Sequence, residues 1–257
     1  MGIADIHMHT IYSYDGTATV PAVLERASQV GLDVIAITDH DQIRGALMAE
    51  QLASKYHLQV LPGVEISTRD GDLLAFSIRK LVPAGLSLIE TLQRVGDLGG
   101  FCVAPHQGAT GMGMKSLSAF SIFKALRDDQ ARRILIAIET YNATILDRAS
   151  NIDAKIWAER FNLSQTGSSD AHVIEAIGLG ATLFPGSTIS DLVNALWIGK
   201  TQVQAGPHWG AARVLGKWAV NYLASAPAHL NLALQYGRKN EFLSNPVNPR
   251  ILDGNLY

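Results

Sequence analysis

Residues 4–16 read "ADIHMHTIYSYDG". An apolar opening segment ends in two histidines, His7 and His9, one residue apart, and Asp15 follows within the next loop. Alternate side chains of a strand leave from the same face, so both imidazoles point the same way and can reach one ion. A strand that ends in ligand-capable side chains is the starting expectation, and the rest of the chain is read for whether it repeats.

It does. Short apolar runs alternate with longer amphipathic ones. Strands are expected at 2–9, 32–40, 58–67, 72–81, 100–106, 133–142, 163–172 and 179–185. Helices are expected at 19–31, 42–56, 87–99, 116–129, 145–162 and 188–200. Thr19 can cap the first helix, with Pro21 in its first turn and Gly31 at its end, and Thr188 or Ser190 can cap the last. The strands are mostly apolar on both faces, as buried parallel strands are. About seven βα units imply a parallel sheet, closed into a barrel or doubly wound. Residues 211–240 read as helical with Pro227 breaking them, and 245–257 as an extended arm. The expected division is therefore a domain over 1–206 and a helical tail with an extended arm over 207–257, packed on it.

The chain has 257 residues, of which 47% are hydrophobic and 17% charged, with net charge −2, so it can bury a large core and is unlike disordered chains. The pI near 6.4 argues against broad non-specific nucleic-acid binding. The single cysteine, Cys102, lies in an apolar run and reads as a small buried residue of a reduced compartment. Neither a signal peptide nor an apolar run of about 20 residues is visible, so a cytoplasmic protein without membrane contact is expected.

The ionisable residues fall inside the strands or at their C-terminal ends: His7 and His9, Asp39 and His40, Glu65, His106, Glu139, and Asp170 with His172. Chemistry in parallel α/β folds collects at that end. Each residue has a plain structural alternative, such as Asp39 capping the next helix. Together they are costly to bury unless paired or bound to metal, and imidazole with carboxylate is the usual ligand set for Zn²⁺, Mn²⁺ and Fe²⁺.

The stretches "DIHMHTIYSYDG", "AITDHDQIRGA", "PGVEIST", "CVAPHQG" and "GSSDAH", in this order, resemble the polymerase and histidinol phosphatase (PHP) superfamily of metal-dependent phosphoesterases. The resemblance runs from about residue 3 to about residue 185. It implies a distorted (β/α)7 TIM-like barrel holding two or three divalent ions, Zn²⁺, Mn²⁺ or Fe²⁺, at its C-terminal mouth. It implies His7, His9, Glu65 and Asp170 for one metal. Glu65 would bridge to a second with His106 and a further ligand, and Asp15, His40 and His172 would hold a third. The sequence departs from the family pattern at the further ligand: "GDLLA" places Asp72 where many members have histidine. That shorter, harder ligand shifts preference toward Mn²⁺ or Mg²⁺, or leaves the second site empty. Asp39 and Glu139 would orient ligands.

A cluster of divalent ions makes hydroxide available at neutral pH and neutralises phosphoryl charge. The implied activity is hydrolysis of a phosphate ester by in-line attack of a metal-activated hydroxide, with no covalent intermediate. Asp15 and His172 can also move protons, and Arg44 or Arg69 can hold the phosphate. The glycine-rich "QGATGMGMKS" (107–116) can form a loop over the mouth, presenting Lys115. His57, His208 and His229 fall outside the pattern and read as structural or surface residues. A small phosphorylated substrate is expected, and the tail can join another subunit. A nuclease trimming oligonucleotide ends is the competing enzyme reading; Arg213, Lys217 and Trp218 in the tail can supply some of the basic and stacking groups it needs, and the charge balance does not favour it. A non-catalytic metal-binding domain is the alternative outside enzymes, and only Asp72 favours it. Amidohydrolase-type barrels also open with H-x-H but carry later ligands not found here.

Overall fold

The computed structural model describes residues 1–111, 114–145, 148–207, 209 and 211–236. In chain order the elements are β1 (Gly2–Asp5), α1 (Val20–Gln29), β2 (Val34–Ile35), α2 (Arg44–Leu52), β3 (Gln59–Val60), β4 (Gly63–Ser67), β5 (Asp72–Phe76) and α3 (Leu88–Asp97). There follow β6 (Phe101–Ala104), β7 (Thr110–Gly111), β8 (Met114–Lys115), α4 (Ala119–Ala125), β9 (Leu135–Asn142), α5 (Arg148–Phe161), β10 (Ser164–Ser168), β11 (Gly180–Phe184), α6 (Ile189–Trp197), β12 (Gln202–Ala205) and α7 (Ala211–Tyr236).

The strands form two five-stranded mixed sheets, ordered β12-β11-β1-β2-β3 and β10-β9-β6-β5-β4, and a small β7-β8 hairpin. Two single bridges join the sheets at one end: Met8 pairs with Ala171, and His40 with Glu65. The α/β class matches the expectation from the sequence, but the all-parallel arrangement is corrected. Only residues 68–71 separate β4 from β5, too few for a crossover, so the two pair antiparallel with Ser67 opposite Asp72. That reversal also makes β5 and β6 antiparallel. At the other edge β11 turns back after β10 and pairs antiparallel with β1, Gly2 opposite Phe184. The parallel pairs are β1–β2, β2–β3, β6–β9 and β9–β10.

Helix ends follow local chemistry. Ser87 and Glu90 form a capping box at α3, and Thr188 with Asp191 form one at α6. Thr19 makes no side-chain cap at α1, whereas Pro21 and left-handed Gly31 sit where expected. The strand expected over 58–67 is two strands, β3 and β4, divided at Leu61–Pro62 because proline has no N–H for the ladder. Cys102 is fully buried, and burial pushes its thiol well up.

The tail corrects a second expectation. Pro227 does not break α7, which runs through it. Pro227 is exposed and Leu223, whose carbonyl loses its helical partner, is 75% exposed, so water can take that place. Trp209, just ahead of α7, is buried in the main core, with the Arg213 guanidinium 4.2 Å above its ring. The extended arm expected at 245–257 lies outside the described residues.

Candidate metal centre

The bridge ends of the two sheets carry the polar residues. Asp5 closes β1, and its carboxylate accepts the backbone N–H groups of Ser169 and Gly178, both at 3.0 Å. His9 N–H donates to the Ala171 carbonyl at 2.9 Å. These bonds lock the segment carrying Asp170 and His172 beside the His7–His9 strand end. On the other side Asp39 holds Thr10 by its backbone N–H (2.6 Å) and hydroxyl (2.8 Å), fixing the loop that leaves His9. Burial pushes the carboxyls of Asp5 and Asp39 up to about 6 against these donors.

His7 Nε2 lies 3.2 Å from Glu65 Oε2 and 3.4 Å from Asp170 Oδ1. His9 Nε2 lies 3.3 Å and 3.2 Å from the same two oxygens. Separations of 3.2–3.4 Å between imidazole nitrogens and carboxylate oxygens are those of donors that share one ion at bond lengths of about 2.0–2.2 Å. All four side chains are buried, and His9 Nε2 and Asp170 Oδ1 have no hydrogen-bond partner among the described residues. The donor set thus fits a divalent ion.

Glu65, Asp72 and His106 form a second buried group, and His9, Asp15, His40 and His172 a third, the ligand atoms of each within 4.8 Å of one another. Glu65 belongs to two of the groups. Its Oε1 is 3.0 Å from His106 Nε2, and Asp72 Oδ2 accepts the Lys115 N–H at 3.1 Å. Asp15 Oδ2 lies 3.3 Å from His40 Nε2 and 3.2 Å from His172 Nε2. Eight of the nine expected ligands therefore sit in three adjoining groups, and the ninth, Asp170, lies within 3.4 Å of two nitrogens of the first.

Two of these residues hold left-handed backbone, His106 at φ 35° and Asp170 at φ 51°. Such strain in non-glycine residues gathers at functional sites. The charges are strongly coupled. Burial disfavours the Glu65 carboxylate, but His40 and His7 hold its pKa well below the ordinary range. Burial also opposes the Asp170 carboxylate, which His7 and His172 hold low. Burial disfavours imidazolium at His172, yet Asp15 keeps its pKa up at about 9. The Asp72 carboxyl is raised by burial and by Glu65.

A surrounding shell fixes these groups. Glu139 Oε1 faces His7 Nδ1 at 3.0 Å, while its Oε2 accepts from the His106 backbone N–H (2.8 Å) and from Asn142 Nδ2 (3.0 Å). The same Asn142 amide donates to Asp170 Oδ2 at 3.0 Å. The Ser13 hydroxyl donates to Asp15 Oδ1 at 2.6 Å and accepts the His40 N–H at 3.3 Å. Asp5, Ser13 and Asn142 were not singled out from the sequence. For Asp5 the available signal was a carboxylate at the end of a fully apolar strand. Nothing in the sequence marks Asn142, whose partners lie up to 28 residues away. At the rim Tyr14 stacks on His40 with ring centroids 5.0 Å apart, and burial with the Asp15 charge pushes its phenol up to about 12.

The anchoring candidates divide. Arg44 opens α2 and is half-buried, beside Gly45, which packs on the Asp39 carboxylate. Arg69 is 68% exposed and faces Glu90 at 3.6 Å, so it belongs to a surface ion pair. Lys115 is exposed on β8. Of the groups the nuclease reading needs, Lys217 pairs with Glu175, Arg213 covers Trp209, and the Trp218 indole is hydrogen-bonded to the Asp15 carbonyl. His229 bonds the Gly16 carbonyl, as a structural residue does. His208 lies outside the described residues.

An α/β chain that draws histidines and carboxylates into three adjoining clusters at one end of its sheets has the layout of a metal-site domain. The chain belongs to the PHP domain family, whose model matches residues 5–159, and a PHP-associated model matches 148–201. An uncharacterized protein of Methanocaldococcus jannaschii is 31% identical over 150 residues, covering 54% of this chain and 81% of that protein. A phosphoribosyl 1,2-cyclic phosphate 1,2-diphosphodiesterase of Eggerthella lenta is 34% identical over 99 residues, 36% of this chain and 37% of that protein. A two-domain protein of Bacteroides vulgatus containing a predicted PHP-like metal-dependent phosphoesterase shares the fold, with a TM-score of 0.63 and 18% identity over 85% of this chain and 69% of its own. No helix among the described residues is long and apolar enough to cross a membrane.

Proposed function

We propose that this chain is a metal-dependent phosphoesterase that hydrolyses a small phosphate ester. The carrying observation is the convergence of His7 Nε2, His9 Nε2, Glu65 Oε2 and Asp170 Oδ1, with His9 Nε2 and Asp170 Oδ1 otherwise unpartnered. In this reading those four residues hold one ion. Glu65, Asp72 and His106 would hold a second, and Asp15, His40 and His172 a third. The sheets and helices then constitute a distorted (β/α)7 TIM-like barrel over 1–206, with 207–257 as an added tail.

When bound, divalent ions at these positions would supply activated water near neutral pH and charge neutralisation at the phosphoryl oxygens. The chain's own residues do the rest. Glu139 keeps the proton of His7 on Nδ1, leaving Nε2 free to ligate. Asp15 and His172, 3.2 Å apart and partly open to solvent, could pass a proton to the leaving oxygen only where no ion occupies the third position. Arg44 anchors the phosphate. Asp72 adds a carboxylate in place of the usual imidazole, which favours Mn²⁺ or Mg²⁺ over Zn²⁺ at the second position, while Zn²⁺, Mn²⁺ and Fe²⁺ all suit the first.

The substrate class is a small phosphorylated molecule, by the analogy of the Eggerthella lenta relative. Nucleic acid is not favoured, because Arg213, Lys217 and Trp218 are each engaged within the fold. A cytoplasmic setting and assembly through the tail complete the reading. A panel of phosphomonoesters and cyclic and linear phosphodiesters, assayed with Mn²⁺, tests it. Turnover that disappears on chelation and in His9→Ala is expected, and absence of turnover with every divalent metal favours the non-catalytic alternative.

A further inference from the structure

Two donors on α7 close onto the loop that carries Asp15. The Trp218 indole N–H donates to the Asp15 carbonyl at 2.9 Å. His229 Nε2 lies 2.9 Å from the Gly16 carbonyl, and a carbonyl only accepts, so the imidazole donates. Tyr222 fills the space between them, stacked on Trp218 at 4.8 Å and tilted against His229 at 5.4 Å. Positions 218, 222 and 229 follow helical spacing, so one face of α7 makes all these contacts.

The inner side of the same loop is closed by its own bonds. Ile11 N–H donates to Ala18, Ser13 N–H to Thr10, and the Thr17 hydroxyl to the His172 carbonyl. A Cβ on Gly16 would stand 2.1 Å from the Thr10 carbonyl, so the turn tolerates no side chain there. Held from inside by Thr10 and His172 and from outside by α7, the loop directs Asp15 Oδ2 at His40 and His172. Helix α7 lies beyond both matched family regions, which end at residues 159 and 201.

We infer that α7 is a clamp that positions Asp15, so that binding of the third ion depends on Trp218 and His229 while binding at His7, His9, Glu65 and Asp170 does not. Trp218 and His229 are positioning residues, and the inference rests on the three-ion reading above.

The test loads the full chain with Mn²⁺ and measures stoichiometry and the affinity of each equivalent by titration and elemental analysis. Trp218→Phe and His229→Phe keep a ring and remove the donor. Lys217→Ala removes an exposed ion pair of the same helix and serves as control. Each Phe variant is expected to weaken the third equivalent about three- to tenfold, the loss set by one hydrogen bond, and to leave the tightest equivalent unchanged. Lys217→Ala should bind as wild type. A Trp218→Phe/His229→Phe double variant that binds the third equivalent with wild-type affinity overturns the clamp, as does equal weakening of all equivalents. A wild-type protein that binds fewer than three equivalents overturns the three-ion reading instead.

Discussion

The Nδ1 of His7 lies 3.0 Å from Oε1 of Glu139, and neither side chain reaches solvent. A carboxylate only accepts, so Nδ1 carries a proton toward Glu139, and with an ion bound between His7, Glu65 and Asp170 it is Nε2 that would give up its proton and ligate. Glu139→Gln keeps the shape but replaces one carboxylate oxygen by a donor. We expect metal affinity at the His7–His9 position to fall about 10- to 100-fold, with the fold intact. Competition titration against a chromophoric chelator reads this directly, and wild-type affinity would exclude the orienting role.

Gly45 is the second residue of α2, and a Cβ there would stand 2.1 Å from Asp39 Oδ2. Alanine normally stabilises a helix over glycine. Here it must displace the carboxylate that holds Thr10. Gly45→Ala is expected to lower stability by about 1–3 kcal/mol, as overpacking does. The shift of the urea midpoint measures it, and a rise in that midpoint would show that Asp39 has room to move.

Asp170 sits at φ 51°, a conformation that suits glycine. Removing its carboxylate removes a candidate ligand in any substitution, but the backbone term separates two variants. In metal-free protein Asp170→Gly should be more stable than Asp170→Ala by about 1 kcal/mol, because alanine keeps the left-handed penalty. Equal thermal midpoints would mean that the segment relaxes out of that region.

These sites were legible to different degrees. His7, His9, His40, Glu65, His106, Asp170 and His172 could be picked out because imidazoles and carboxylates interrupt apolar strands, where burial has a cost that chemistry must offset. Sheet direction was less legible: a four-residue connection between β4 and β5 reverses everything paired to β5, and periodicity carries no strand direction. Asn142 and Ser13 escaped because an amide or hydroxyl earns notice only from what it touches, and their partners are brought close by the fold. Arg69 looked like an anchor from its place four residues after Glu65, but β4 ends at Ser67 and the side chain points outward to Glu90. Pro227 breaks a helix by rule, and the rule gives way where its unpaired carbonyl faces water.

His172 is held up at about 9 by Asp15, whose own pKa is pulled down. A histidine raised above 6.5 stabilises the fold fully below that value and loses the contribution as pH rises through about 9. A lowered carboxylate contributes above its unfolded value near 4 and loses the contribution in acid. In metal-free protein this pair therefore stabilises most between about pH 4 and 6.5 and declines toward pH 9. His172→Asn should flatten that decline. Since a ligating imidazole must be neutral, metal uptake at pH 7.5 should release protons, seen as a dependence of calorimetric heat on buffer ionisation enthalpy. No proton release would remove His172 from the ligands.

Asp72 stands opposite Ser67 at the start of β5, buried, with one oxygen accepting the Lys115 N–H and the carboxyl raised by burial and by Glu65. Two carboxylates in one cluster with His106 repel unless a cation lies between them, so this cluster asks for a hard ion more than an imidazole-rich one would. Asp72→His restores two nitrogens beside Glu65. Imidazole is longer and borderline-soft, so the variant should bind the second equivalent of Zn²⁺ more tightly and that of Mn²⁺ more weakly, moving their affinity ratio by tenfold or more, about 1.4 kcal/mol. The lost acceptor for Lys115 lowers stability by about 1 kcal/mol and acts on both metals alike, so the ratio isolates the ligand effect. An unchanged ratio would mean that Asp72 serves the β7–β8 hairpin through Lys115 and does not touch the metal.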